Sequence, residues 1–170
     1  MFVVVYGGSG SGKSEFAETL TVDYCSGVKY CIATMQPFDD ESYKKIDRHR
    51  RMRKEKNFET IECQTNLQKA EIKQGSTVLL ECMSNLTANE MYSDNGAKEN
   101  TVSEILKGLE HLKKAAKNIV VVTNNIFDDG DNYDEDSIRY MNYLAQINNE
   151  MSRMADEVYE VVHGIALKIK

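Results

Sequence analysis

Seven short apolar runs divide the chain, at residues 2–6, 29–33, 58–62, 77–81, 118–123, 157–162 and 165–169. Each is short and mostly rich in valine, isoleucine and aromatic residues, which predicts strands. Between most of them the apolar positions recur at helical spacing. Val102, Ile105, Leu106, Leu109 and Leu112 form one stripe, and Ile138, Met141, Leu144, Ile147, Met151 and Met154 form another. Thr101 with Glu104 predicts a capping box at the start of the first. Strands alternating with helices predict an α/β sandwich with a mostly parallel sheet and helices on both faces. The last two runs are joined only by His163-Gly164, which predicts a hairpin and an antiparallel edge.

The stretch after the first run adds chemistry to this pattern. Gly7-Gly8-Ser9-Gly10-Ser11-Gly12-Lys13-Ser14 has the spacing of a phosphate-binding loop. It lies between a predicted strand and a helical pattern over 14–24. Glycines let the backbone turn tightly and aim its N–H groups at phosphate oxygens. The helix N-terminus adds partial positive charge. Lys13 can reach the outer phosphates, and Ser14 can hold Mg²⁺. The chain is expected to bind a nucleoside triphosphate.

Ligands of open α/β sheets gather at the carboxyl ends of the strands. There the pattern places the loop together with Thr34-Met35-Gln36, Glu62, Glu81 and Asn124-Asn125. Glu81 closes the most apolar strand, and a carboxylate there suits Mg²⁺.

Composition narrows the class. With 170 residues, 41% hydrophobic and 28% charged, the chain is expected to form one nucleotide-binding domain spanning 1–170. No apolar run approaches a membrane span, and no basic leader precedes the first strand, so a cytoplasmic location is expected. Cys25, Cys31, Cys63 and Cys82 form no C-x-x-C pair and read as reduced core thiols. The net charge of −6 hides an asymmetry. Lys44, Lys45, Arg48, Arg50, Arg51, Arg53, Lys54 and Lys56 crowd one segment of an otherwise acidic chain. A single basic segment of this kind points to a phosphorylated small molecule rather than nucleic acid. His49 sits inside it, one helical turn from Lys45 and from Arg53. Surrounding cations favour the neutral, nucleophilic imidazole, which beside an α-phosphate can form a phosphoramidate. An incidental histidine on a solvated basic helix has the same sequence.

Four blocks together resemble the adenosylcobinamide kinase / adenosylcobinamide-phosphate guanylyltransferase family of cobalamin biosynthesis. They are Tyr6 to Ser14, Ile32-Ala33-Thr34 through Asp39-Asp40-Glu41 to His49-Arg50, Leu79-Leu80-Glu81-Cys82 with Asn89, and Ala155-Asp156-Glu157-Val158 through Gly164 to Lys168-Ile169-Lys170. They run in order over nearly the whole length. The resemblance implies a RecA-like fold, a homotrimer, and two reactions. A nucleoside triphosphate, ATP or GTP, phosphorylates adenosylcobinamide. GTP then donates GMP to the phosphate product through a guanylyl-histidine, with His49 as acceptor and Lys13 stabilising phosphate charge. It also implies that Ala33, Thr34, Met35, Arg50, Arg51, Met52, Arg53, Glu62 and Glu81 adjoin the nucleotide. The sequence departs from the family pattern at Phe58, at 125–130, at Arg53-Lys54 and at Tyr140-Met141-Asn142. A P-loop kinase without covalent chemistry and a non-catalytic nucleotide sensor are the competing readings.

Overall fold

The structure is a computed structural model, and it describes residues 1–25, 27–36, 47, 51, 54–126 and 133–170. Seven strands form one sheet: β1 (Phe2–Gly7), β2 (Lys29–Ala33), β3 (Glu59–Glu62), β4 (Thr77–Leu80), β5 (Asn118–Asn124), β6 (Glu157–Val162) and β7 (Ile165–Lys168). Their order is β3-β2-β4-β5-β1-β6-β7. All neighbours are parallel except β6 and β7, which pair antiparallel. The four named helices are α1 (Lys13–Tyr24), α2 (Met83–Tyr92), α3 (Thr101–Ala115) and α4 (Glu135–Met154).

The central strands are apolar on both faces because helices cover both. Along β1, Phe2 and Val4 point into one cluster and Val3 and Val5 into the other. The first cluster is the larger and packs beneath α2, α3 and α4 through Leu86, Ile105, Leu109, Leu112, Leu144, Ile147 and Met151. The second is roofed by α1, with Ala17 buried and Phe16, Leu20 and Tyr24 at its margin.

One helix start differs from expectation. The Thr101–Glu104 capping box does not form. A 3₁₀ turn over Lys98–Asn100 runs straight into α3, and Thr101 is already helical. Its hydroxyl donates to the Lys98 carbonyl at 2.6 Å, and Glu104 turns outward to Lys107 and Gln68. A cap needs a non-helical residue before the first turn, and the preceding turn removes it. On α4 the cap is Asp134, whose carboxylate accepts from Ser137 N at 2.7 Å.

The strand order decides what meets at the carboxyl edge. β5 lies between β1, which feeds the phosphate loop, and β4, which ends at Glu81. The loop and the acidic strand end are therefore two strand spacings apart, ~10 Å. β3 lies four spacings from β1, ~19 Å, at the far edge.

Candidate active site

The phosphate loop leaves β1 at Gly7 and enters α1 at Lys13. Its turns use left-handed backbone at Gly10 (φ 70°) and Gly12 (φ 91°), where a side chain would be strained. Ser11 N donates to the Gly8 carbonyl at 3.3 Å, and Phe16 N to the Gly12 carbonyl at 3.2 Å. Ser11 Oγ is buried beneath the loop with no protein partner among the described residues. Lys13 is buried, and its Nζ donates to the loop's own Gly8 carbonyl at 2.8 Å. Burial pushes its pKa below the ordinary lysine value, and the nearby Cys82 partly offsets that.

The carboxyl-terminal hairpin closes one side of the loop. Gly164 N donates to the Ser11 carbonyl at 2.8 Å. A β-carbon on Gly12 would stand 3.2 Å from Gly164 Cα, and one on Gly7 only 2.5 Å from the Val161 carbonyl oxygen. Loop and hairpin are thus in backbone contact. The same hairpin is tied to α1 lower down. Glu157 accepts from Lys168 Nζ at 2.6 Å and from the hydroxyls of Tyr24 and Tyr159 at 3.0 Å each. Hydrogen bonding to Lys168 above all holds the Glu157 carboxyl below its ordinary value.

On the other side stand the ends of β4 and β5. Glu81 is half-buried, and its N–H donates to the Ile32 carbonyl at 3.1 Å. The Cys82 thiol lies near enough to Lys13 to act on its charge, and burial raises the thiol's own pKa. Asn124 Nδ2 reaches Cys82 Sγ at 3.9 Å. Asn125 N donates to the Gly7 carbonyl at 3.2 Å, which joins the end of β5 to the start of the loop. The sequence reads Cys82 as a core thiol and does not set it near the lysine. Its only signal was its place directly after Glu81.

Residues at the end of β2 form a separate group. Thr34 is fully buried, its hydroxyl donates to the Cys82 carbonyl at 2.9 Å, and its carbonyl accepts from Asn89 Nδ2 at 2.7 Å. Asn89 also donates to the Gln64 carbonyl at 2.9 Å. These bonds fasten β2, β4 and the chain after β3 together. Ala33 is buried, Met35 and Gln36 are half-buried, and Glu62 is exposed. Glu62 stands beside Ala33 in the parallel register, far from the phosphate loop.

His49, Arg50, Met52 and Arg53 lie outside the described residues. Arg51 is exposed and pairs with Asp47 at 2.5 Å. The segment that carries them leaves β2 at Ala33, on the carboxyl edge, and enters β3 at Glu59, beside Tyr30 near the opposite edge. Its return is pinned: Lys56 Nζ donates to the buried Glu18 carboxylate on α1 at 2.6 Å. Among the described residues no cluster of three or more acidic, histidine or cysteine side chains could hold a metal.

Against this geometry, the profile of the cobinamide kinase / cobinamide phosphate guanyltransferase family matches residues 3–169. The chain belongs to that family. It is 32% identical to the bifunctional adenosylcobalamin biosynthesis protein CobU of Escherichia coli (strain K12), over the full length of both chains. It is 29% identical to the protein of the same name from Salmonella typhimurium, again over both full lengths. It is 27% identical to the bifunctional protein CobP of Pseudomonas aeruginosa, over 98% of this chain and 96% of that one. Among solved structures, an ATPase domain superposes with a TM-score of 0.50 at 10% identity, covering 94% of this chain and 68% of that one. That likeness concerns the fold alone and fits the RecA-like architecture expected for the family.

Proposed function

We propose that the protein is a bifunctional corrinoid kinase and guanylyltransferase. The observation that supports this best is the complete phosphate loop, with a buried lysine and backbone amides around it, in a chain that matches the family from end to end. In the first reaction the γ-phosphate of ATP or GTP lies in the loop. Phosphate oxygens take over the Lys13 ammonium that the Gly8 carbonyl accepts from in the free loop. The amides of 8–14 and the N-terminus of α1 stabilise the charge on the transferring group. The alcohol oxygen of cobinamide attacks the γ-phosphorus, the nucleoside diphosphate leaves, and the alcohol proton is released.

Mg²⁺ suits this donor set. It takes oxygen ligands and keeps several waters, so one hydroxyl, one carboxylate and the phosphates suffice. Ser14, at the start of α1, and Glu81, at the end of β4, would supply them, and a bound ion would neutralise charge on the outer phosphates.

In the second reaction a neutral His49 nitrogen attacks the α-phosphorus of GTP, and pyrophosphate leaves. The phosphate oxygen of cobinamide phosphate then attacks the guanylyl group, breaks the P–N bond and restores the imidazole. The carrier segment starts at Gln36, three strands from the loop strand, ~14 Å. It has more than enough chain to span that gap. Arg50, Arg51, Met52 and Arg53 follow the histidine and face the nucleotide with it. Ala33, Thr34 and Met35 form the platform from which the segment departs, with Glu62 beside Ala33. The family resemblance adds a homotrimer to this reading, and the cysteine usage and hydropathy of the sequence add a cytoplasmic location. No helix among the described residues is long and apolar enough to cross a membrane.

The deciding experiment incubates the protein with Mg²⁺ and GTP labelled on the α-phosphate, then denatures it. An acid-labile, base-stable label that is absent from His49→Ala is expected. Normal GTP binding without label would remove the guanylyltransferase half and leave a P-loop kinase.

A further inference from the structure

Among the described residues, the β6–β7 end of one sheet face is left uncovered. On the side of α4, α2 and α3 lie over β5, α4 lies over β1, and Val158 at the start of β6 is buried in the same cluster, but among the described residues no named helix packs on β7 or on Val162. Antiparallel pairing sets Glu160 opposite Leu167 and Val162 opposite Ile165, so these four share a face with Tyr6, whose hydroxyl bonds Glu160. Val162, Ile165, Leu167 and Ile169 are 42%, 65%, 48% and 58% exposed. The opposite face of the same hairpin is covered, with Val161 buried and Tyr159 edge-on to Phe16 of α1. The apolar exposure is therefore confined to one side.

Where this bare face meets α4 there is a cleft of about 190 Å³, lined by Val4, Tyr6, Thr123, Asn124, Asn125, Asn148, Asn149 and Ser152. No charged side chain is among these. Four carboxamides and the hydroxyls of Thr123 and Ser152 line it, over an apolar floor. Thr123 Oγ1 donates to Asn148 Oδ1 at 2.8 Å, which fixes that amide in place. The inner end touches the phosphate loop, because Tyr6 precedes Gly7 and Asn125 N bonds the Gly7 carbonyl.

The occupant has to combine three properties: a flat apolar body, a fringe of neutral amide groups, and a hydroxyl to present at the loop. A cobinamide has all three. Its macrocycle is flat and largely apolar, its periphery carries carboxamide arms, and one arm ends in the alcohol to be phosphorylated. Amide pairs with amide through complementary donor and acceptor, without the desolvation cost of a charge. We propose that the bare β6–β7 face and the amide-lined cleft form the corrinoid-binding surface. The hairpin carries the macrocycle, and the cleft holds a carboxamide arm beside the phosphate loop. This rests on the kinase and guanylyltransferase reading above and names its acceptor subsite.

The test measures dicyanocobinamide binding by equilibrium dialysis, read by absorbance, for wild type, Leu167→Glu and Ser152→Leu. The first puts a charge on the exposed apolar face, and the second fills the cleft from the surface of α4. Both positions are at least partly exposed, so both variants should fold. Cobinamide binding is expected to weaken ~10-fold or more in each. The GTP-induced rise in Tm and the hydrodynamic mass should stay as in wild type. Unchanged cobinamide binding in both variants would overturn the surface assignment alone. A fall in hydrodynamic mass in Leu167→Glu would overturn it too, because the face would then lie between copies of the chain. If wild type binds GTP but no cobinamide, the functional reading falls and this proposal falls with it.

Discussion

The backbone N–H of Gly164 donates to the carbonyl of Ser11 at 2.8 Å, so the turn of the last hairpin is fastened to the phosphate loop. Two features more than 150 residues apart in sequence thereby become one structure. Gly164 holds φ at +80°, and nothing lies within 4 Å of where its β-carbon would be. The glycine is required by backbone angle and not by crowding. At Gly12 both constraints act, since φ is +91° and Gly164 Cα is 3.2 Å from a β-carbon.

Gly164→Ala should therefore cost about 1 kcal/mol of stability through backbone strain. GTP affinity should fall by only a few fold. Gly12→Ala should cost more and should lose most of the GTP affinity, because the loop itself must shift. Thermal denaturation with and without GTP reads both effects, and equal losses in the two variants would contradict the geometry.

Lys13→Met removes an ammonium held in a buried site. The Tm without nucleotide should stay level or rise, since a desolvated charge contributes little to folding. The rise in Tm on adding GTP should disappear. Burial sets the folded Lys13 pKa below the unfolded value of 10.5, so the unfolded chain binds more protons between the two. Wild type should accordingly gain stability relative to the variant as pH rises through that window. Thermal scans across the alkaline range check the sign.

Lys56→Met leaves the Glu18 carboxylate buried without its partner. A loss of about 2–3 kcal/mol is expected, read as a lower urea midpoint. Replacing both residues, as Glu18→Met with Lys56→Met, should recover much of it, because no unpaired charge is left buried. Since this pair pins the return of the histidine-bearing segment to α1, the rate of guanylyl labelling should fall in the single variant as well.

Glu157→Gln weakens the junction of Tyr24, Tyr159 and Lys168. The folded carboxyl pKa lies below the unfolded 4.5, so its contribution is present above that value and is lost as pH falls through the folded pKa. The variant should melt roughly 2–4 °C below wild type at neutral pH. The gap should close as pH drops below about 4.5. A gap that persists at low pH would mean that Glu157 acts by packing alone.

The parts of the fold visible in the sequence were those with a local cause. Alternation and β-branching marked all seven strands, and the two-residue link at His163-Gly164 marked the hairpin. The stripes of α3 and α4 were visible because each of these helices has a wet side. The helix α2 was not singled out: Met83, Ser84, Leu86, Thr87, Asn89, Glu90 and Met91 are all buried, so no stripe of polar positions outlines it. The capping box at Thr101 failed because the preceding turn had already made the backbone helical, which the spacing of Thr and Glu does not report.

At the site, the phosphate loop was legible because its chemistry lies within eight consecutive residues. The grouping of Glu62 with the other strand ends followed from its place after an apolar run, yet strand order sets it at the opposite edge from the loop. The nearness of Cys82 to Lys13, the Asn124–Asn148 cleft and the contact of Gly164 with Ser11 all depend on which strands are neighbours.

By itself, then, the sequence determined the elements, the nucleotide loop and the family. These follow from periodicity, backbone freedom and motif spacing, all of which act over a few residues. Tertiary structure alone decided that β5 stands between the loop and Glu81, that the hairpin closes the loop, and that Val162, Ile165, Leu167 and Ile169 stay exposed on one face of the hairpin. The physical reason is that strand order and helix coverage come from packing the whole apolar surface at once. That packing is a property of residues distant in the chain, and no local pattern encodes it.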